Sequence, residues 1–113
     1  MLKLDGTEFQ VNDFTTGTQT APTLAMDSAG NFVITWQSQD QDGDAYGVYA
    51  KRYDSAGVDQ TGEFLVNTTP AGTQIAPVVA MSGSGDFGIT WTGAGSGDVD
   101  GIYLQRYQAG PNL

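Results

Sequence analysis

The sequence predicts an all-β chain in which one structural unit is written twice. Three observations carry this. EFQVNDFTTGTQTAPTLAMDSAGNFVITW returns as EFLVNTTPAGTQIAPVVAMSGSGDFGITW, and GVYAKRY returns as GIYLQRY. Within the repeat, Phe32, Ile34 and Trp36 interleave with Val33, Thr35 and Gln37, the two-residue period of a strand. No window carries a helical period, and helix formers are sparse.

The repeat is dense in identities. Glu8, Phe9 and Asn12 match Glu63, Phe64 and Asn67, and Gly17-Thr18-Gln19 matches Gly72-Thr73-Gln74. Ala21-Pro22, Ala25-Met26 and Ile34-Thr35-Trp36 return as Ala76-Pro77, Ala80-Met81 and Ile89-Thr90-Trp91. The period is roughly 55 residues, in the range of propeller blades and other repeat arrays. The units divide the chain into residues 1–55 and 56–113.

In chain order, EFQVN (8–12) is the first strand-like segment. APTLAMD (21–27) follows, and a tight DSAG turn joins it to NFVITWQ (31–37). GVYAKRY (47–53) is next, then EFLVN (63–67), the counterpart of EFQVN. Each is β-branched or aromatic, short, and bounded by Gly, Asp, Ser or Pro. A four-stranded antiparallel sheet at this period is the signature of a β-propeller blade.

The phase of the repeat is informative. The chain opens on a fourth strand and ends on a third, giving the order 4-123-4-123. The missing strand and the spare strand are complementary. The expected architecture is therefore two antiparallel blades, with the ring completed by oligomerisation. The N-terminal strand of one copy completes the last blade of the next, a head-to-tail contact that closes if the rotation allows. Rings commonly hold about four to eight blades, so a homotrimer or a homotetramer is expected, the trimer preferred.

Register extends this. If the turn between the third and fourth strands centres between Gly57 and Val58, Arg52 faces Glu63 and Ala50 faces Leu65. The counterparts Arg106 and Glu8 then pair between subunits. The alternative is that these are solvated surface charges.

Composition narrows the function. The chain of 113 residues carries 13 acidic and 4 basic residues, a formal net charge of -9, with 39% hydrophobic and 15% charged residues. A nucleic acid or an anionic membrane surface would be repelled. With neither Cys nor His, disulfides, thiol nucleophiles and Cys- or His-based zinc sites are excluded. MLKLDGTEF has no apolar run of signal-peptide length, and no stretch suits membrane insertion. A cytosolic protein, a fragment of a larger one, or export without an N-terminal signal all remain open.

DQDGDAYG (40–47) places Asp40, Asp42 and Asp44 around a glycine, a cheap supply of oxygen ligands for calcium. In the second unit only the Gly-Asp turn is kept, as Gly97-Asp98, and no Glu follows as an EF-hand loop requires. An acidic turn is favoured over calcium, and no cofactor is expected. Trp36 and Trp91 are candidates for stacking on a ligand, but their presence in both units favours packing between blades. Tyr49, Tyr53, Tyr103 and Tyr107 share one face of the third strand and suit either sugar contact or packing. Nothing assembles a nucleophile with its base, and the glycine turns precede no helix that would bind phosphate.

Written as "EF.VN…G.Q..P..A…G.F…W…GVYA.RY", the repeat resembles the propeller-type repeats of bacterial surface and exported proteins. Glu8, Phe9, Val11, Asn12, Gln19, Pro22, Gly30, Trp36, Gly43, Gly47, Tyr49 and Arg52 carry the resemblance, which covers nearly the whole chain. It implies an extracellular or cell-surface module for adhesion or scaffolding, and no catalytic residues. The second unit departs from it between Thr92 and Val99. The expected function is thus a non-enzymatic binding or scaffold module with a carbohydrate or protein ligand. The rivals are a purely structural repeat of a larger surface protein and, by fold analogy alone, a glycan-cleaving enzyme.

Overall fold

The computed structural model describes residues 2–39, 45–68, 72–95 and 98–109. It is all-β, with no helix among these residues. The strands are β1 (Gln19–Met26), β2 (Phe32–Gln39), β3 (Tyr46–Tyr53), β4 (Phe64–Leu65), β5 (Gln74–Met81), β6 (Phe87–Gly95) and β7 (Asp98–Tyr107). They form two antiparallel sheets, β1-β2-β3-β4 and β5-β6-β7.

The β1–β2 turn forms because Asp27 replaces lost ladder bonds. Its Oδ1 accepts from the Ala29 and Asn31 amides, each at 2.9 Å, and its Oδ2 accepts from Asn31 Nδ2 at 3.0 Å. Such self-bonding is why Asp opens turns. In the second sheet Ser82 takes this place, and the Asp86 carbonyl accepts from Ser82 N. Both turns tie to the end of the third strand of their unit. Asn31 Oδ1 accepts from Ser55 N at 3.1 Å, and Asp86 Oδ1 from Ala109 N at 2.7 Å.

The inner strands begin earlier than APTLAMD suggests, and each carries a bulge at its Ala-Pro step. Ala21 and Ala76 both sit at φ 56. A left-handed alanine costs of order 1–3 kcal/mol, so the surroundings hold it. At Ala76 the backbone N–H donates to Gln37 Oε1 of the first sheet at 3.0 Å.

The EFLVN strand is shorter than expected: it covers Phe64 and Leu65, with one further bond from Val66 N to Val48 O. EFQVN, expected to pair with another copy, forms no strand with its own chain. The register between β3 and β4 is Tyr49–Leu65 and Ala50–Phe64, one residue from the expected pairing, so Arg52 does not face Glu63. The cause lies after the turn. Asp54 closes that turn by accepting from Ala56 and Val58. Tyr53 then bridges Asp59, but Asp59 Oδ1 folds a second turn by accepting from the Thr61 and Gly62 amides. The returning segment absorbs extra residues there. A one-residue slip sends every side chain to the other face. The Arg52 amide donates to Thr61 Oγ1 instead.

The core lies between the two sheets. Val33, Val48 and Ala50 of the first, with Val66, meet Val79, Phe87, Ile89 and Trp91 of the second. Each sheet therefore contributes the alternate residues of its strands, as the two-residue period requires.

Candidate functional site

The two units differ most in which faces are covered. On the first sheet, Val48 and Ala50 are 0% exposed beneath the second sheet. Their counterparts Ile102 and Leu104 are 74% and 57% exposed. Leu104 and Arg106 line an open groove of about 960 Å³ with Ala80, Phe87, Gly88 and Tyr107. The opposite face of the first sheet is also partly open. Leu24 and Met26 are exposed there, whereas their counterparts Val79 and Met81 belong to or border the core. One end of the molecule thus presents the face that its other end lacks a cover for.

The N-terminal segment sits on the first sheet as β4 sits on the second. Phe9 packs on Tyr53 with ring centroids 5.6 Å apart, and Phe64 on Tyr107 at 5.5 Å. Asn12 Nδ2 donates to Gln19 Oε1 at 3.2 Å, and Asn67 Nδ2 to Gln74 Oε1 at 3.3 Å. Two bonds have no such echo among the described residues. Asn67 Oδ1 accepts from Val48 N at 2.8 Å, and Val66 N donates to Val48 O at 2.8 Å. Among the described residues no strand lies beside Asn12 to supply the same, and Asn12 Oδ1 accepts a long 3.5 Å contact from Gln10 Nε2.

Lys51 anchors the N-terminal segment. Its nearly buried Nζ donates to Val11 O and Asp13 Oδ1, both at 2.8 Å, with Asp59 Oδ2 at 3.6 Å. Burial alone would depress its pKa. The Asp13 hydrogen bond, then the charges of Tyr53, Asp13 and Asp59, outweigh that and hold it above the ordinary lysine value. Burial raises the Tyr53 and Tyr107 hydroxyls. Asp27 is held low, chiefly by the Asn31 side chain, against an opposing effect of burial and with help from the Asn31, Ala29 and Gly30 amides.

Trp36 and Trp91 are buried, 3% and 7% exposed, and each indole Nε1 is buried without a hydrogen-bond partner among the described residues. Trp91 stacks on Tyr103 at 6.2 Å, and Tyr49 is buried. Asn12, Gln19 and Trp36 border a small cavity of about 180 Å³ beneath the N-terminal segment. Asp40, Asp42 and Asp44 lie outside the described residues. Among the described residues no three carboxylates cluster in a way that would hold a metal ion. Glu8 and Arg106 are exposed, and neither forms an ion pair among the described residues.

Sequence reasoning matched Asn12 with Asn67 and Gln19 with Gln74 but did not read them as a bonded pair. It missed Lys51 altogether, and the signal was present: Gln105 stands at that position in the second unit, so the charge is not part of the shared frame. The arrangement offers apolar burial at two faces and strand pairing at one edge. No helix of the described residues is long and apolar enough to cross a membrane. Compared with family models, curated proteins and solved structures, the chain matches none.

Proposed function

We propose that the chain is a non-enzymatic scaffold module of the β-propeller type. Each chain supplies two blades, and copies join head to tail into a closed homo-oligomeric ring. The observation that carries this is the contrast between Ala50 and Leu104. The same face of the same strand is sealed by the next unit in one half and left open and apolar in the other. The second sheet is itself the pattern for what would cover it. A heterologous contact of this kind gives a ring where the rotation closes, and six blades from a trimer is the preferred count.

The buried indoles favour scaffolding over sugar stacking, because neither ring offers a face to solvent. The resemblance to repeats of bacterial surface proteins supports an extracellular setting for such a scaffold. Native mass spectrometry with a glycan array tests the reading. A ring that binds no glycan supports the scaffold. A ring with glycan bound replaces it with a lectin, and a lone chain that binds nothing leaves a structural repeat.

A further inference from the structure

The outer edge of β7 has no strand beside it among the described residues, yet the chain itself shows what such an edge accepts. In the first sheet the equivalent edge, on β3, takes β4, Val66 and Asn67. We infer that residues 8–12 of one copy add to the β7 edge of a second copy. Phe9 lies opposite Leu104, Gln10 opposite Tyr103, and Asn12 Oδ1 accepts from the Ile102 N–H. This rests on the ring assembly proposed above and deepens it by naming the seam and its register.

Three observations support a second copy as the occupant. First, residues 8–12 repeat the sequence pattern of 63–67, and they already occupy the β4-like position against the first sheet, through Phe9 on Tyr53 and Asn12 on Gln19. They pair with no strand among the described residues, and on their backbone Lys51 Nζ bonds Val11 O. Second, Asn12 and Gln19 are half-buried where Asn67 and Gln74 are buried. The difference is what an edge without a neighbouring strand leaves, and among the described residues none lies beside residues 8–12. Third, the edge residues agree in chemistry. Val48 and Ala50 turn their backbone groups towards β4, so Ile102 and Leu104 turn theirs outward. An edge of exposed Ile and Leu is one that strand addition covers.

The observed register changes the expected contact between subunits. Transferred from Ala50–Phe64 and Tyr49–Leu65, it sets Glu8 opposite Gln105, so that Glu8 and Arg106 point to opposite faces. The seam is therefore held by backbone pairing, Phe9 and the Asn12 side chain, and not by an ion pair.

The chain has no cysteine, which makes cross-linking a clean test. Tyr49 and Leu65 occupy a non-hydrogen-bonded position next to the Val48–Val66 bond, where side chains approach most closely. Gln10 and Tyr103 inherit it. A Gln10→Cys chain mixed with a Tyr103→Cys chain should form a disulfide between the two under mild oxidation, and the double variant should form covalent multimers. Tyr49→Cys with Leu65→Cys, which pairs within one chain, calibrates the yield. Glu8→Cys with Arg106→Cys should cross-link far less. Oligomers of full mass that do not cross-link at Gln10–Tyr103, or that cross-link better at Glu8–Arg106, would overturn the seam and leave the ring standing. Chains that stay monomeric would overturn both.

Discussion

Asn67 accepts a hydrogen bond from the Val48 amide at 2.8 Å while its own amide donates to Gln74. Gln74 in turn donates to Ala94 O at 3.0 Å. Two buried side chains, Asn67 and Gln74, thus link the edge of the first sheet to β5 and β6 of the second. Asn67→Ala leaves the buried Val48 N–H without its acceptor, at a cost of about 1–3 kcal/mol. Denaturant unfolding should show that loss. Asn12→Ala should cost less in the protomer and should weaken association instead.

Lys51 fastens residues 11–13 to β3 across forty positions of sequence. Lys51→Met should release that segment and cost about 1.5–3 kcal/mol, the worth of hydrogen bonds to a charged group. Faster amide exchange at residues 11–14, with the sheets still protected, is the expected signature.

The same group sets an alkaline limit. Lys51, Tyr53 and Tyr107 are all held above their ordinary values. The folded state therefore keeps these protons more tightly than the unfolded chain. Their contribution is complete below about pH 10 and is lost as pH rises through the folded values. Asp27 works in the opposite sense. Its pKa is held down, so its contribution is present above its ordinary value of about 3.9 and fades as pH falls below it. Melting temperature against pH should be flat at neutrality and fall at both extremes. In Lys51→Met the alkaline fall should be shallower.

Gly93 is the site where the second unit departs from Ser38 of the first. A Cβ there would collide with the Thr73 carbonyl, and φ is 149°. In the first unit Ser38 fits and accepts from Gln19 Nε2 at 3.3 Å. In the second, Gln74 Nε2 bonds Ala94 O instead. Gly93→Ser should therefore not restore symmetry. It should destabilise by about 1–3 kcal/mol through overpacking, read from the thermal midpoint.

Calcium should change little. Asp40, Asp42 and Asp44 have no matching triplet in the second unit, and a ligand stabilises only what it binds in the native state. Millimolar calcium is expected to leave the melting temperature unmoved. A rise of several degrees that disappears in Asp42→Asn would assign the loop a metal.

Much of the fold was legible because the repeat compares the chain with itself. The all-β class, the β1–β2 hairpin with its Asp27 turn and the three long strands of each unit all follow from two-residue alternation bounded by turn residues. The register of β4 did not follow. It depends on Asp59 capping a second turn, a choice of side-chain hydrogen bonds with no periodicity to betray it. The left-handed Ala21 and Ala76 were hidden for a related reason. A residue before proline is biased towards extended backbone, so the sequence argues against the bulge that packing imposes. Leu104 as an uncovered face could not be read either, since exposure depends on which neighbours the chain itself supplies.

The proposal that copies of this chain join head to tail into a closed ring is tested most directly by solution mass. Light scattering across a micromolar dilution series should give a whole multiple of the 11.9 kDa chain, three being preferred. Leu104→Asp, which places a charge on the open face, should reduce that mass while leaving the fold intact, whereas Ala50→Asp should unfold the chain. A mass equal to one folded chain at micromolar concentration would contradict the account.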